Sequence, residues 1–432
     1  MIKLLNTLNY NSLRKQLLGG NITGIWKNNE AFIGSNSFPI MNYSYQTANF
    51  INFEKNIDST FEEVSYHLSG YGLLRNEAEA SFIGESIERY SYSLLPASIC
   101  ANAVLSSYKK LYDAGCKVLP LDLINNYYNS DQKEHYITEM DNIKWIKLPS
   151  LFGEEEVFIP LQLFIMYNQY LFSNEKRYIT SAVSTGTSCH ETTKQSLENS
   201  LIEYLQIDSF NLWWYSGTSA IPLDIDVKKY FNHLFNNQPK VQDFLNHFTV
   251  NFLDISFDKS IYIIVCEMVS ESTSMPKYVV GVQGGYSIKK CIYRAFLECL
   301  TVVEYALNIS WIDPQKYVSI QKEDPDFSNL DDNVIYYAKY GKPRNLIFEH
   351  KKINPRKKAQ NLTELIQSTK KLSPYAVALN ITPTEFSHLN TEVYRVILPE
   401  LLSIALPSYP PYFSNRYTQW GGIKNHLPHP LA

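Results

Sequence analysis

The sequence predicts an α+β protein in which mixed β-sheets pack against long helices that carry rows of carboxylates. Three observations support this prediction. Short runs of β-branched and aromatic residues are bounded by polar residues, three long stretches have helical periodicity, and glutamates recur on one face of each stretch. Groups of strands that alternate with long helices are typical of the α+β class.

Strands are expected wherever β-branched and aromatic residues are concentrated. The predicted strands are residues 117–123, 145–151, 156–161, 178–183, 261–268, 278–282 and 375–380.

Helical periodicity predicts three long helices and three shorter ones. The long helices are residues 76–94, 191–214 and 287–307, and the shorter ones are 227–236, 241–248 and 362–371. Residues 310–361 are polar and poorly periodic, which predicts a loop-rich excursion. We expect one compact unit over residues 66–432, preceded by a peripheral segment, 1–65, that could dock a partner.

The composition excludes several classes of protein. The 432 residues are 45% hydrophobic, which is enough for one large core or two moderate ones. A net charge of -4 does not favour nucleic-acid binding. Residues 1–20 do not have the pattern of a signal peptide, and no apolar stretch is long enough to cross a bilayer, so we expect a cytoplasmic protein that does not bind membranes. The six cysteines form no CxxC pair and are expected to be buried, reduced thiols.

The first long helix places oxygen ligands on one face. Ser81, Glu85 and Glu88 stand at positions i, i+4 and i+7, so their side chains share a stripe. Two carboxylates and a hydroxyl can gather Mg²⁺, which prefers oxygen ligands. The alternative is a solvated helix face with a local ion pair between a glutamate and Arg89.

The second long helix follows a turn of small residues, 184–188, and carries a longer polar row. A helix that begins after such a turn presents free N–H groups that suit a phosphate. The alternative is an ordinary capped amphipathic helix. The row consists of Glu191, Gln195, Glu198, Glu203 and Gln206.

The third long helix carries Arg294 and Glu298 one turn apart. One side chain could clamp a phosphate and the other a metal, or the two could form a surface ion pair. The chain contains neither a P-loop motif nor a dinucleotide fingerprint. Three carboxylate rows together would therefore suit a nucleotide held through several metal ions.

These residues resemble the signatures of the YcaO family, and the resemblance runs from about residue 69 to the C-terminus. Ser81 to Arg89 matches the first signature, SxxxExxER, without a change. Residues 184–214 are similar to the second signature, and Arg294 to Glu298 matches the third, RAxxE. Residues 380–383 and 394–401 are similar to a late conserved stretch, DxT followed by VRVxxPGL. The C-terminal Pro428 and Pro430 are similar to the Pro-rich tail of azoline-forming members.

The resemblance implies a YcaO-like fold and a streptolysin-type cyclodehydratase that uses ATP and Mg²⁺. A Cys, Ser or Thr of a precursor peptide would attack the preceding carbonyl, and ATP would phosphorylate the amide oxygen to give a thiazoline or oxazoline. Pro428 and Pro430 would be catalytic and would enter or border the site. The implied metal ligands are Glu85, Glu88, Glu203, Gln206 and Glu298. The implied nucleotide contacts are Ser81, Arg89, Glu191, Gln195, Glu198 and Arg294.

The chain departs from the family pattern at several positions. Gln195 and Gln206 stand where glutamates are expected, and Ile207 stands where an arginine is expected. Asn380 replaces an aspartate and Glu400 a glycine. The segment 70–72, which reads GKG in many members, is Gly-Tyr-Gly here. These changes mark either a diverged subfamily or weakened ATP binding.

Three hypotheses remain open from the sequence. The first is an active cyclodehydratase subunit. The resemblance then implies a precursor peptide, a separate protein that binds the leader peptide, a flavin-dependent dehydrogenase and a homodimer within the complex. The second hypothesis is a YcaO-like scaffold that binds a peptide or partner without using ATP. The third is an enzyme that forms thioamides or amidines on a peptide backbone.

Overall fold

The structure is a computed structural model that describes residues 18, 25–28, 41–47, 67–127, 136–153, 155–164, 175–176, 183–231, 245–270, 275–323, 325, 327, 330–351, 356–406 and 414–431. The strands are β1 Trp26–Asn28, β2 Met41–Thr47, β3 His67–Gly72, β4 Val104–Ser107, β5 Asn142–Pro149, β6 Glu156–Pro160, β7 Thr187–His190, β8 Ile221–Leu223, β9 Thr249–Asp254, β10 Tyr262–Val269, β11 Tyr278–Gly285, β12 Val377–Asn380 and β13 Glu392–Ile397. The α-helices are α1 Arg75–Cys100, α2 Tyr108–Asp113, α3 Leu121–Ile124, α4 Thr193–Trp214, α5 Val227–Tyr230, α6 Ile288–Ile312, α7 Pro314–Ser319, α8 Leu330–Tyr340, α9 Leu362–Lys370 and α10 Asn415–Gln419.

The described strands form four antiparallel sheets, in which the strand orders are β1-β2-β3, β11-β10-β9-β8, β12-β13-β7 and β4-β5-β6. In the first sheet, β2 pairs with β3 from Met41 opposite Gly72 to Gln46 opposite His67. A strand of the N-terminal segment therefore extends the sheet that begins the predicted compact unit. The rest of residues 1–65, apart from Leu18, Ile25 and β1, lies outside the described residues, and its partner-docking role stays a prediction.

The three long helices each pack against a strand that carries glycines. Gly70 of β3 lies so close to α1 that a Cβ there would stand 2.2 Å from the backbone nitrogen of Phe82. Gly281 of β11 is similarly close to α6, since a Cβ would stand 2.3 Å from the carbonyl oxygen of Ala295. The absence of a side chain lets helix and strand backbones approach, and this brings residues of the helices within reach of strand N–H groups.

The core forms three clusters, one around each long helix. The first joins Phe82 and Ile87 of α1 to the sheet β4-β5-β6. The second surrounds α4 and includes Trp213 and Trp214, and the third joins α6 to β10. The five cysteines whose side chains are described are free thiols, and Cys266, Cys291 and Cys299 are buried. None of the described helices is long and apolar enough to cross a membrane.

Most of the predicted elements are found, with shifted ends. The helices predicted at 76–94, 191–214, 287–307 and 362–371 are α1, α4, α6 and α9. The strands predicted at 145–151, 156–161, 261–268, 278–282 and 375–380 are β5, β6, β10, β11 and β12.

Two predictions of secondary structure are wrong. Residues 117–123 contribute one bridge, from Val118 to Phe158, and then begin α3, because Pro120 starts a helical turn. The excursion at 310–361 contains α7 and α8, and seven residues of α8 are buried. The predicted strand 178–183 and helix 241–248 fall largely outside the described residues. Of the helix predicted at 227–236, the described part is α5, Val227–Tyr230, and the residue after it, Phe231.

Candidate active site

From Leu201 onward the helix α4 is buried almost all round, and the two exceptions in this stretch mark a candidate site. From Leu201 to Trp214, every residue is buried except Glu203 and Gln206, which are half-buried. Glu298 is likewise the one half-buried residue between Ala295 and Glu304 of α6. Within these two buried stretches, the positions left open to solvent therefore carry predicted metal ligands.

Carboxylates of α1 and α4 form an acid cluster, which we define as Glu85, Glu88 and Glu203. Burial raises the pKa of Glu88 well above its usual value, and repulsion from Glu203 and Glu85 adds to the rise, against the opposing charges of Arg89 and Arg395. Because a carboxylate disfavours a second one only at short range, these effects place the three side chains together. Charge on α4 therefore acts on a carboxylate of α1, and the shared metal site stays a prediction.

A backbone N–H group of a neighbouring segment orients each of four polar side chains of the row. Such bonds to a carboxylate are charge-assisted and stronger than neutral ones. They fix where each oxygen points before any ligand arrives. The donor–acceptor pairs are Ser69 to Glu85 at 2.9 Å, Gly186 to Glu203 at 3.3 Å, Val282 to Glu298 at 3.0 Å and Gly284 to Gln206 at 2.6 Å.

Two of these carboxyls have pKa values close to neutrality. Burial raises the pKa of Glu203 to about 7, although Arg89, the Gly186 N–H group and Arg395 oppose the rise. Burial likewise raises the pKa of Glu298 to about 7, against the Val282 N–H group and Arg294. Carboxyls with raised pKa values are common at functional sites, where a bound cation offsets their desolvation, although burial alone also raises the pKa of Glu304 to about 7.

Tyr71 of β3 lies between the α1 and α6 parts of the site. The guanidinium of Arg294 stands 4.9 Å from the centre of the Tyr71 ring. Burial raises the pKa of the Tyr71 hydroxyl, with contributions from Glu298 and Glu85. Sequence reasoning noted the altered Gly-Tyr-Gly segment but did not assign Tyr71 to the site. The signal was the change of a GKG lysine to an aromatic residue on which Arg294 can stack.

Arg89 takes part in both of the alternatives that the sequence left open. It forms the local ion pair with Glu85, at 3.7 Å across one helical turn. It also lowers the pKa of Glu88 and Glu203 against the larger effect of burial, so its charge reaches the cluster. The polar face of α1 is therefore more than a solvated surface with a local ion pair, because the charge of Arg89 also acts on the acid cluster.

The charge of the site fits a divalent cation, and the oxygen donors are of the type that Mg²⁺ prefers. The donor set supports this fit, because Glu85, Glu203 and Glu298 are half-buried carboxylates that backbone N–H groups orient. Within the described residues, no three His, Cys, Asp or Glu side chains form a ready-made group that could hold one metal ion. One side-chain oxygen each of Glu85, Glu203, Gln206 and Glu298 accepts instead from a backbone N–H group.

The other predicted nucleotide contacts lie away from the acid cluster or have no contact that assigns them to it. Glu191, just before α4, and Gln195, in its first turn, are exposed, and the Thr192 hydroxyl donates to the side-chain Oε1 of Gln195 at 2.8 Å. Burial raises the pKa of the Tyr286 hydroxyl and Glu198 adds to the rise, which places Glu198 beside that ring. Ser81 is half-buried on the polar face of α1. Their roles as nucleotide ligands stay predictions.

The C-terminal tail is packed into the core beside the far end of α4. The Trp214 indole N–H donates to the Leu427 carbonyl at 2.8 Å, and the Tyr337 hydroxyl donates to the Pro428 carbonyl. Pro430 is buried, as is Leu431. Trp214 lies eleven residues beyond Glu203, which is about 16 Å along a helix. The tail is therefore packed in place, and its anchor on Trp214 is about three helical turns from Glu203.

The unusual residues of the late signatures have structural partners. Ile207 is 7% exposed and belongs to the core around α4. Asn380 accepts from the Thr382 N–H at 2.9 Å and so caps a turn. Glu400 accepts from the Tyr375 N–H at 3.1 Å. These positions serve packing and turns here, so none of them takes the place of a missing phosphate ligand.

Comparisons with known proteins agree with this architecture. The profile of the family described as YcaO cyclodehydratase, ATP- and Mg²⁺-binding, matches residues 69–402. A structure described as a heterocyclase in complex with substrate and cofactor is 16% identical with a TM-score of 0.65, over 98% of this chain and 57% of that one. This chain thus spans little more than half the length of that heterocyclase.

Two further solved structures share the fold. The Escherichia coli microcin synthetase McbBCD complex is 15% identical with a TM-score of 0.57, over 93% of this chain and 91% of that one. A YcaO protein from Methanopyrus kandleri, bound with AMPPCP and Mg²⁺, is 12% identical with a TM-score of 0.55, over 92% and 90%. No match was found among proteins with curated descriptions. With three quarters of its length covered by the family profile, the chain belongs to the YcaO cyclodehydratase family, which binds ATP and Mg²⁺.

Proposed function

We propose that the protein is the ATP-dependent cyclodehydratase subunit of a peptide-modifying complex, and that it forms thiazolines or oxazolines from Cys, Ser or Thr residues of a ribosomally made precursor. The observation that carries this proposal is the meeting of carboxylates from α1 and α4 in the acid cluster. Glu298 and Arg294 of α6 join it through Tyr71. Family membership supplies the reaction class.

The side chains that would hold Mg²⁺ are the half-buried carboxylates and the amide oxygen of Gln206. ATP, as the second substrate, supplies a phosphoryl group that turns the amide oxygen of the peptide into a good leaving group. The protein's part is to place the peptide and the phosphates and to balance charge. The nucleophile belongs to the substrate, so no cysteine of the enzyme is needed for the reaction. The proposed metal ligands are Glu85, Glu88, Glu203, Gln206 and Glu298.

Arg294 is the cation best placed to contact a phosphate, because its guanidinium is stacked on Tyr71 and beside Glu298. An arginine presents donors in a planar fork that matches phosphate oxygens. Ser81, Arg89, Glu191, Gln195 and Glu198 complete the proposed nucleotide contacts. Pro428 and Pro430 lie at the far end of α4 from the acid cluster of their own subunit. They would therefore act either through α4 or on the acid cluster of the neighbouring subunit in a homodimer.

The proposed partners follow from the family and its solved structures. The McbBCD structures are complexes, and one is described with pro-MccB17 bound. We propose by analogy a precursor peptide, a separate protein that binds its leader, and a flavin-dependent dehydrogenase that oxidises the azolines. We place this complex in the cytoplasm, where precursor peptides are made.

A scaffold that does not use ATP is the second candidate. The observation that favours it is Ile207, since a buried apolar residue occupies the position of an expected phosphate ligand. A scaffold would keep the fold and the peptide surface and would lose nucleotide affinity.

Calorimetry with AMPPCP, in the presence and absence of Mg²⁺, separates the two candidates. We expect saturable, Mg²⁺-dependent binding by the wild type. Glu203→Ala and Glu203→Gln should weaken it at least about 10- to 100-fold, since even outer-shell partners of a metal contribute that much. Glu156→Gln is the control, because Glu156 is an exposed carboxylate on β6. No binding by the wild type, alone or with its partner protein, would leave the scaffold as the better account.

A further inference from the structure

Arg395, in the middle of β13, is a buried cation that the predicted site does not include. Only 2% of its surface is exposed. Among the described residues no carboxylate lies within ion-pair distance of it, and its Nε has no hydrogen-bond partner. Burying an arginine without a direct ion pair is unfavourable, so its position needs a reason.

The guanidinium connects α1 to the segment that leads into α4. One terminal nitrogen donates to the Thr187 hydroxyl at 2.7 Å, and the other donates to the Val183 carbonyl at 2.9 Å. The group lies over the Tyr92 ring, 4.3 Å from its centre. Tyr92 stands one helical turn after Glu88, so the contact reaches the helix that carries two residues of the acid cluster.

The same strand also fixes the N–H group that orients Glu203. The Val396 N–H donates to the Gly186 carbonyl at 2.7 Å, and the Gly186 N–H donates to Glu203. Tyr394, on the other side of Arg395, accepts at its carbonyl from Ser200 of α4 at 3.0 Å. Arg395 therefore lies where α1, α4 and the 183–187 segment meet.

The charge of Arg395 reaches the acid cluster as well. Burial raises the pKa of Glu88 and Glu203, and Arg395 is among the cations that oppose the rise in both. The positive charge of Arg395 therefore favours the ionised form of both carboxylates, alongside Arg89.

We propose that Arg395 is a positioning residue of the nucleotide site, which holds the 183–187 segment against α1 and so sets Gly186 and Glu203 opposite Glu88. The proposal rests on the proposed function for its consequence in nucleotide binding. Its structural core, the link between the guanidinium and the 183–187 segment, can be tested without a nucleotide.

The test compares Arg395→Gln, Arg395→Lys and Thr187→Val with the wild type. The control is Ile143→Ala, which opens a cavity in the fully buried part of the sheet β4-β5-β6. Peptide mass spectrometry measures hydrogen–deuterium exchange in the ligand-free protein. Thermal melting of the same variants measures their stability. AMPPCP binding is then measured with Mg²⁺ on the same samples.

In Arg395→Gln we expect faster exchange at residues 183–190 and a loss of AMPPCP affinity of about 10- to 100-fold. Arg395→Lys should recover part of both, and Thr187→Val should show the same pattern more weakly. Ile143→Ala should lower the melting temperature while its affinity and its exchange at 183–190 stay like the wild type. Unchanged exchange at 183–190 in Arg395→Gln, with the protein folded, would overturn the proposal. If the wild type fails to bind AMPPCP, the proposed function is refuted. The exchange result alone then decides whether Arg395 positions the 183–187 segment.

Discussion

Glu298 illustrates how burial prepares a single residue for ligand binding. Its carboxylate accepts from the Val282 N–H and lies near Arg294, yet burial still raises its pKa to about 7 from the model-compound value of 4.5. The folded protein therefore holds a proton that the unfolded chain releases between these two pH values. Stability of the ligand-free protein should fall as pH rises through this window, because the unfolded state binds fewer protons there.

Glu298→Gln tests this effect. Between pH about 4.5 and about 7, the free energy of unfolding of the wild type should fall relative to that of the variant. Above and below that range, the two curves of unfolding free energy against pH should run parallel. Urea unfolding at a series of pH values measures the difference. Parallel curves throughout would show that the carboxyl titrates normally. Mg²⁺ should in turn bind the wild type more tightly as pH rises through about 7, since the cation competes with the proton.

At the residue scale the sequence predicts faces but not partners. Helical spacing alone places Glu85 and Glu88 on one stripe, and the structure confirms that they are neighbours. The sequence cannot predict that the N–H groups of Ser69 and Gly186 donate to the carboxylates of the two helices. Those contacts span sixteen and seventeen residues and depend on how the strands pack. The contacts of the Arg395 side chain could not be predicted either, since its hydrogen-bond partner Thr187 is 208 residues away.

The turn that leads into β7 depends strongly on a single residue. Gly186 has a φ of 83°, which an L-residue adopts only with strain. A Cβ there would also stand 2.4 Å from the Val396 carbonyl oxygen and 2.7 Å from the Tyr204 ring. A side chain at this position would push the turn away from β13 and take its N–H group from Glu203.

Gly186→Ala should lower the free energy of unfolding by about 3 kcal/mol or more, from backbone strain together with overpacking. It should also weaken nucleotide binding in whatever fraction stays folded. Gly153→Ala is the matched control, since Gly153 has a similar φ of 72° with no atom near its missing Cβ. The control should lose only about 1–2 kcal/mol, the strain alone. Equal losses in urea unfolding of the two variants would show that the contacts of Gly186 contribute nothing.

At the element scale, the helices were predictable and several strands were not. The helices α1, α4 and α6 have local periodicity, and α4 has a local cap in which the Thr192 hydroxyl accepts from the Gln195 N–H at 3.3 Å. The strand β7 has only four residues, TSCH, and no strong local signal, whereas β13 is rich in β-branched and aromatic residues but was not among the predicted strands. They form because they pair with each other, from Glu392 opposite His190 to Arg395 opposite Thr187. Such pairing is decided by the tertiary structure, which overrides propensity.

For the whole molecule, the C-terminal segment 414–431 and α4 form one unit through a buried ionic network. Arg416 of α10 donates to both oxygens of Asp208, at 3.2 Å and 2.8 Å. Lys259, which is fully buried, lies 2.6 Å from the same carboxylate. Asp258 pairs with both cations, so two positive and two negative charges balance. The network holds α10, the loop after β9 and α4 in one arrangement, and the packed tail follows from it.

Asp208→Asn tests how much the assembled molecule depends on this network. Removing one carboxylate leaves Lys259 and Arg416 to share Asp258, and an uncompensated charge in such a place costs about 3–5 kcal/mol of stability. The control is Asp113→Asn, which breaks an exposed pair with Lys109 of 3.1 Å and should change stability by about 0.5 kcal/mol or less. Urea unfolding measures both. A loss within about 1 kcal/mol in Asp208→Asn would mean that water or rearrangement compensates the cations. Protection of residues 414–431 in hydrogen exchange should fall along with stability, because Arg416 at the start of this segment is held to α4 by Asp208.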